Sequence, residues 1–184
     1  MGTTAYVGLG SNIGEKVRQC EKAIAEILKG DCHRLLAKSS LYRTEPIGHA
    51  SQDWFVNGVI EIETNFQPHA FLRFLKEVEI RLGRTKTFHW GPRSIDLDIL
   101  FFDQEEVRTE ELRIPHPLLH RRKFVLVPLN EIDGSLIHPV LKKTVRQLLN
   151  DLKEDQGIEK FLSPEQWSKG IQPLTRYSIT SISR

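Results

Sequence analysis

Segments with the spacing of strands and of helices follow one another in the order β-α-β-β-α-β. Apolar residues recur every three or four positions over residues 17–28 and 68–82, which predicts two amphipathic helices, each followed by a glycine, Gly30 or Gly83. Runs rich in apolar and β-branched residues predict four strands, at 5–10, 35–44, 54–64 and 94–102. This order is typical of an α+β ferredoxin-like sandwich, in which helices pack on one face of an antiparallel sheet and leave the other face free.

The chain has 184 residues and 39% hydrophobic content, enough for one domain with a core. Residues 115–131 predict a loop and a short helix, and 144–152 a further helix. From about Glu154 onward the chain becomes polar. We therefore predict a domain over 1–153 and a C-terminal extension over 154–184, which is either flexible or packed on the domain as an extra strand through Tyr177, Ile179 and Ile182.

Charge and hydropathy argue against several classes of protein. The chain has 26 basic and 24 acidic residues, and this balance gives no long-range field of the kind that suits a nucleic-acid or membrane-surface protein. It shows neither an export signal nor an apolar run long enough to span a bilayer. We expect a cytoplasmic protein, monomeric or weakly dimeric, in which Cys20 and Cys32 are reduced thiols.

Two acids in the last predicted strand are candidate metal ligands. Asp96 and Asp98 are two residues apart, so they project to the same side, with Cβ atoms about 6.5–7 Å apart. Carboxylates at that spacing can converge on hard cations such as Mg²⁺. Two solvated acids at a strand end are the alternative. The same alternation places four apolar residues on the opposite face: Ile95, Leu97, Ile99 and Phe101.

Cations precede these acids in the chain: Arg84, Lys86, His89 and Arg93. Guanidinium groups match phosphate geometry, and cations beside metal-binding acids suit a polyphosphate, so this loop favours phosphoryl transfer over a merely solvated surface. A second basic cluster, 120–123, follows His116, which lies between two prolines. It is either a further phosphate contact or a solvated helix face.

A flat heterocycle is suggested by Phe55 and Asn57, which share one face of the predicted strand 54–64. The alternative is a core Phe beside an exposed Asn. The glycines of the run 8–14 do not have the spacing of a dinucleotide fingerprint, and no Walker Lys-Ser/Thr follows. We interpret them as a turn between the first strand and the first helix.

Taken together, the segments resemble the 6-hydroxymethyl-7,8-dihydropterin pyrophosphokinase family over residues 5–149. The motifs that carry the resemblance are Ala5-Tyr6-Val7-Gly8-Leu9-Gly10-Ser11-Asn12, Tyr42-Arg43-Thr44-Glu45-Pro46-Ile47-Gly48, Phe55-Val56-Asn57, Gly91-Pro92-Arg93-Ser94-Ile95-Asp96-Leu97-Asp98-Ile99 and Ile114-Pro115-His116-Pro117. The resemblance implies transfer of pyrophosphate from ATP to the hydroxymethyl group of the dihydropterin, with release of AMP, in folate biosynthesis.

The resemblance also implies the roles of individual residues. Asp96 and Asp98 would bind two Mg²⁺ ions, and Arg84 and Arg93 would stabilise charge on the transferred phosphates. The implied ATP contacts are Leu72, Glu79, Arg84, Lys86, Trp90, Arg93, Ile99, His116 and Arg122. The implied pterin contacts are Thr44, Pro46, Ile47, Gly48, Phe55, Asn57, Trp90 and Phe124, with the two Phe rings sandwiching the substrate.

Two other functions remain open at this stage. The first is another two-metal enzyme, a nucleotidyltransferase or phosphohydrolase, which differs in the phosphorus that is attacked. The second is an RNA-binding module, because ferredoxin-like domains also serve that purpose. The chain lacks the aromatic RNP pattern of such modules, and two carboxylates on a sheet face would repel RNA phosphates.

Overall fold

A computed structural model describes residues 2–45, 53–84, 93–153 and 157–167. Five of the predicted site residues lie outside these ranges: Pro46, Ile47, Gly48, Lys86 and Trp90. The same holds for Tyr177, Ile179 and Ile182 of the extension. In the part of the chain that is described, no helix has the length and apolar character needed to cross a membrane.

An antiparallel sheet of six strands organises the part of the chain that is described. Its strands are β1 (Thr3–Ser11), β2 (His33–Lys38), β3 (Leu41–Thr44), β4 (Phe55–Thr64), β5 (Asp96–Phe102) and β8 (Ile158–Leu162), and a separate hairpin contains β6 (Val107–Arg108) and β7 (Arg113–Ile114). The order across the main sheet is β5-β1-β4-β3-β8, with β2 also paired to β4, and every pairing is antiparallel. Strand β1 is therefore flanked by β5 and β4.

The single strand predicted over 35–44 is two strands in the structure. Both β2 and β3 pair with β4, and the buried Ser39 and Ser40 lie between them. Ser39 accepts a hydrogen bond from the Val59 N–H, at 2.9 Å, and Ser40 donates both its N–H and its hydroxyl to Glu131. These polar groups bond outside a regular ladder of strand hydrogen bonds, and the strand is interrupted at this point. The observed order from β1 to β5 is therefore β-α-β-β-β-α-β.

Two amphipathic helices cover one face of the sheet, as the periodicity predicts. They are α1 (Lys16–Ile27) and α2 (Pro68–Arg81), and Pro68 occupies the first turn of α2, where its missing N–H costs no hydrogen bond. Their apolar residues join side chains of the strands in one core, including Ile24, Ile27, Phe71, Leu75, Val7, Ile60 and Leu97. This core fixes one side of every central strand.

The opposite face is not free, so that part of the prediction is wrong. Helices α3 (Lys123–Asp133) and α4 (Val145–Asp151) belong to a second core with Tyr6, Val59, Leu100 and Phe101. Thr144 caps α4 through a reciprocal capping box with Gln147. A candidate site on this face must therefore lie beside α3. The acids lie at the start of β5, so the site is expected at that end of the strand.

A β-bulge changes the direction of side chains near the end of β5. Tyr6 pairs with Phe101 whereas Val7 pairs with Ile99, so Leu100 is an extra residue in β5. Both Leu100 and Phe101 consequently enter the second core. Phe101 lies on the same face as Asp96 and Asp98, contrary to the simple alternation predicted from the sequence.

The described part of the C-terminal extension packs on the domain. Strand β8 pairs with β3, and Trp167 is 1% exposed in the first core. These contacts are made by β8 and Trp167, which precede in sequence the three residues predicted to form an extra strand. The domain boundary at residue 153 stays a prediction.

Glu131 links α3 to β3 and to the residue before it by hydrogen bonds, and its replacement tests how much these bonds contribute to stability. It accepts hydrogen bonds from the Ser40 N–H (2.9 Å), the Ser40 hydroxyl (2.7 Å) and the Tyr42 hydroxyl (2.8 Å). We expect Glu131→Ala to lower the free energy of unfolding by about 2–3 kcal/mol, because partly buried donors lose a charged acceptor. Urea denaturation at neutral pH measures this change, and Glu105→Ala at an exposed site is the control.

The same side chain predicts a pH dependence. Burial raises the pKa of Glu131, but the hydrogen bonds from Ser40 and Tyr42 outweigh it and hold the pKa below the ordinary glutamate value. The stabilisation is therefore present above the unfolded pKa and is lost as the pH falls through the lower folded pKa. If Glu131→Ala destabilised the protein equally at neutral and strongly acidic pH, this account would be wrong.

Candidate active site

Four strands align the candidate residues in one row across the sheet. Asp96 of β5 lies opposite Gly10 of β1, Gly10 lies opposite Asn57 of β4, and Asn57 lies opposite Tyr42 of β3. Directly opposed residues in antiparallel strands point to the same face. The pairing therefore brings the candidate metal ligand and the candidate heterocycle contact, which are far apart in the chain, to one surface.

Two glycines form the floor between these groups. Gly8 lies between Asp98 and Val59, and Gly10 lies between Asp96 and Asn57. A Cβ at Gly10 would come within 3.1 Å of Asn57 Oδ1, whereas one at Gly8 would make ordinary contact with Leu100. Both are strand residues; of the glycine run predicted to form a turn, only Gly14, with φ +64°, lies in the turn before α1.

A chain of alternating charges surrounds Asp96. Arg93 Nη1 is 2.6 Å from Asp96 Oδ2, and Arg84 Nη1 is 2.8 Å from Asp96 Oδ1. Arg84 also pairs with Glu79, whose Oε1 lies 3.0 Å from Lys76 Nζ. Glu79 in addition accepts the Leu97 N–H at 2.7 Å, so it closes the open edge of β5. The network joins the end of α2 to the start of β5.

The pKa values of Asp96 and Glu79 depart from their ordinary values in opposite directions, because burial and the neighbouring cations act on the two acids with different strength. Burial raises the pKa of Asp96, but Arg93 and Arg84 outweigh it and hold the pKa below the ordinary aspartate value. Burial raises the pKa of Glu79, which is 1% exposed, and Lys76 and Arg84 only partly oppose that effect. Asp96 is therefore firmly anionic at neutral pH, as a metal ligand must be.

Hydrogen bonds fix the backbone from which Arg93 projects. The Arg93 N–H donates to Asn12 Oδ1 at 2.7 Å, and the Asn12 N–H donates to the Arg93 carbonyl at 3.2 Å. The Ser11 hydroxyl donates to the Ser94 carbonyl at 2.6 Å. Both Ser11 and Asn12 are buried. The end of β1 thus holds the chain at the entry to β5.

His116 and Arg122 supply further polar groups near the acids. The Leu118 N–H donates to His116 Nδ1 at 3.2 Å, so the hydrogen of the neutral ring is on Nε2. Burial lowers the pKa of His116, and Arg122 adds to this, against the fields of Asp98 and Asp96. Burial lowers the pKa of Arg122, and the same two acids oppose that shift. His116 is therefore a neutral hydrogen-bond donor at neutral pH, and Arg122 is a cation.

The other end of the row carries the candidate heterocycle contacts. Asn57 is 7% exposed, and its Nδ2 donates to Thr44 Oγ1 at 2.7 Å. Phe55 lies opposite Thr44 on the same face. Phe124 lies at the start of α3, half-buried against the second core, and the Arg122 guanidinium lies 5.7 Å from its ring. Both aromatic residues therefore belong to this face of the sheet.

The side chains of Leu72 and Ile99 lie on the opposite face. Ile99 is buried in the first core, and Leu72 of α2 packs against the same core. Neither side chain shares a surface with Asp96 and Asp98. Any nucleotide contact by Ile99 would use its backbone on β5, which is an edge strand of the sheet.

Sequence reasoning missed three supports of this site. Lys76 lies one turn before Glu79 on α2, and that spacing could have indicated the pair. The alternation of Gly8 and Gly10 could have indicated one bare strand face. The bonds from Ser11 and Asn12 to the entry of β5 had no local signal, because they span 81 to 83 positions.

Sequence comparisons relate most of the chain to one family of enzymes. The family model for 7,8-dihydro-6-hydroxymethylpterin-pyrophosphokinase matches residues 6–134. The 2-amino-4-hydroxy-6-hydroxymethyldihydropteridine pyrophosphokinase of Methylorubrum extorquens is 41% identical over 86% of this chain and 98% of its own length. The protein of the same name from Bacillus subtilis is 36% identical over 90% of this chain and 99% of its own.

A solved structure supports the fold. The crystal structure of wild-type Plasmodium falciparum HPPK-DHPS with STZ-DHP has a TM-score of 0.65 and 17% identity, and the match covers 82% of this chain. This chain spans 43% of that longer protein. The family match and the relatives confirm the resemblance seen in the sequence: the chain belongs to the 7,8-dihydro-6-hydroxymethylpterin-pyrophosphokinase family.

Proposed function

We propose that the row from Asp96 to Asn57 is the active site of a diphosphotransferase. The enzyme transfers pyrophosphate from ATP to the hydroxymethyl group of 6-hydroxymethyl-7,8-dihydropterin and releases AMP, in folate biosynthesis. One observation carries the assignment of the site: Asp96 lies between the guanidiniums of Arg84 and Arg93, on the sheet face that also holds Asp98 and Asn57.

On the phosphate side, Arg84 and Arg93 neutralise the transferred phosphoryl groups. Both guanidiniums already converge on one carboxylate, so a polyphosphate at Asp96 is within reach of two planar cations. Glu79 and Lys76 keep Arg84 at the end of α2, and Asn12 keeps Arg93 at the start of β5. His116 Nε2 and Arg122 supply further donors for the nucleotide phosphates or ribose. Leu72 and the backbone of Ile99 border the adenine.

The donor set at Asp96 and Asp98 suits Mg²⁺. Both ligands are carboxylates from one strand face, and Mg²⁺ takes one or two carboxylates with water and substrate phosphates. Magnesium bound there, as two ions, would screen the phosphate charge and increase the acidity of the acceptor hydroxyl. Asp96 keeps its negative charge because Arg93 and Arg84 lower its pKa.

On the acceptor side, the Asn57 side chain hydrogen-bonds the polar edge of the pterin. Thr44 fixes the orientation of the Asn57 amide. Phe55 and Phe124 supply apolar plates on the same face of the sheet. The glycine floor allows the acceptor to approach the acids without a side chain between them. The residues assigned from the family motifs outside the described ranges, Pro46, Ile47, Gly48, Lys86 and Trp90, complete the proposed contacts.

The finer features of the fold and location are proposals too. If β2 and β3 are counted as one interrupted strand, the sheet has the order β5-β1-β4-β3. This order and the two helices on one face support a ferredoxin-like sandwich. We place the catalytic domain at 1–153 and the enzyme in the cytoplasm. The family match does not favour an RNA-binding module or a nucleotidyltransferase.

Product analysis tests this function directly. With ATP, Mg²⁺ and 6-hydroxymethyl-7,8-dihydropterin, the enzyme should form AMP and the pterin diphosphate in equal amounts, and AMP should not form when the pterin is omitted. Chromatography of nucleotides and pterins measures both. Formation of ADP, release of free pyrophosphate or turnover without the pterin would contradict the proposal.

Neutral replacement of the two acids should separate chemistry from folding. We expect Asp96→Asn and Asp98→Asn each to lower kcat by about 10³-fold or more, because the metal ligands lose their charge. Thermal unfolding by circular dichroism should remain cooperative, since both side chains lie at the surface of the site. Asp151→Asn, at an exposed ion pair with Lys143, is the control, and equal loss of activity there would contradict the assignment.

The bond between Thr44 and Asn57 generates a second test. Thr44→Val keeps the shape of the side chain but removes the acceptor of a buried amide hydrogen, so we expect about a tenfold higher pterin KM and about 1–2 kcal/mol less stability. Thr44→Ser keeps the hydroxyl and should remain close to the parent enzyme. Steady-state kinetics at saturating ATP measure the effect, and an unchanged pterin KM in Thr44→Val would refute it.

A further inference from the structure

Strand β3 is a short element between two partners. It has four residues, and it pairs with β4 through Tyr42–Asn57, Arg43–Val56 and Thr44–Phe55. On its other side it pairs with β8, where Ile158 is opposite Thr44 and Lys160 is opposite Tyr42. Without β8, a four-residue strand carrying Thr44 would form an edge of the sheet, held by three residue pairs.

Trp167 anchors the far end of this C-terminal segment. Its side chain is the largest of the fully buried ones in the described residues, and its Nε1–H donates to the Ser39 carbonyl at 3.0 Å. Lys38 Nζ donates to the Trp167 carbonyl at 3.1 Å. Ser39 lies between β2 and β3, so the anchor holds the beginning of β3 while β8 runs along its length.

Phe161 connects the same segment to the start of β4. Its ring packs edge-on against Trp54, with centroids 5.5 Å apart. The Arg43 guanidinium lies 4.1 Å from the Trp54 ring and 4.7 Å from the Phe161 ring, so it joins β3 to both. Trp54 directly precedes Phe55. The segment therefore contacts β3 directly and also contacts Trp54, the residue that immediately precedes β4.

From these contacts we infer that residues 157–167, here named the C-terminal strap, position Thr44 and Asn57 for the acceptor. The strap fixes β3 along one side, and Thr44 of β3 then fixes the Asn57 amide through the 2.7 Å bond from Nδ2. Asp96 and Arg93 belong to β5 and its entry, at the other side of the sheet. The strap therefore sets the affinity for the pterin and leaves that for ATP unchanged.

This inference rests on the proposed function, because it assigns Thr44 and Asn57 to the pterin. The test uses Phe161→Ala in the full chain, which removes the contact with Trp54 and Arg43. We expect pterin KM to rise about tenfold, since a small displacement of positioning residues has a large effect on a reaction that depends on orientation. The dissociation constant of Mg-ATP, measured without pterin, should change less than about twofold.

A matched variant separates positioning from a general loss of stability. Phe66→Ala also removes a half-buried ring, but that ring packs on His33 and Phe74, away from the strap. It should lower the unfolding temperature without raising pterin KM. Trp167→Phe keeps a smaller aromatic ring in the core but loses the bond to Ser39, and Phe161→Leu keeps most of the apolar volume. Both should therefore give smaller increases in pterin KM than Phe161→Ala.

The outcomes distinguish the strap from the function on which it depends. Unchanged pterin KM in folded Phe161→Ala and Trp167→Phe would overturn the inference, as would pterin KM and the Mg-ATP dissociation constant rising in the same proportion. If the unaltered enzyme released no AMP with the pterin, the proposed function would fail instead.

Discussion

The antiparallel register of β1 against β5 and β4 is the constraint from which the site follows. It sets Asp96 opposite Gly10 and Asp98 opposite Gly8, and it sets Asn57 across the same glycine from Asp96. A slip by one residue would turn both acids into the core under α1 and α2. The register is secured by the apolar residues that alternate with the acids, among them Ile95, Leu97 and Ile99, which are buried in the first core.

Charge balance then shapes the part of the site that we propose to bind phosphate. Each guanidinium near Asp96 also has a support that does not depend on that acid: Arg84 pairs with Glu79, and the backbone of Arg93 is bonded to Asn12. Binding a cation at Asp96 requires its oxygens to exchange partners, and a polyphosphate provides the anion to which the two arginines can turn. In the proposed site, recruitment of metal and of polyphosphate would thus be coupled by electrostatics, with the surrounding hydrogen bonds and ion pairs already in place.

The sequence was informative where a signal is local. The two amphipathic helices, the strand with Asp96 and Asp98, and the shared face of Phe55 and Asn57 follow from spacing alone. The split between β2 and β3, the bulge at Leu100 and the second core could not be predicted, because each depends on a distant partner such as Glu131 or Tyr6. Family motifs supplied the roles of individual residues, which spacing does not give.

A crystal structure of the enzyme with Mg²⁺, a non-hydrolysable ATP analogue and the pterin would test the central claim most directly. The account predicts Asp96 and Asp98 carboxylate oxygens about 2.1 Å from Mg²⁺, the Arg84 and Arg93 guanidiniums on the phosphates, and the pterin edge at Asn57. Phosphates bound away from β5, or Asp96 still paired with both arginines and holding no ion, would contradict it.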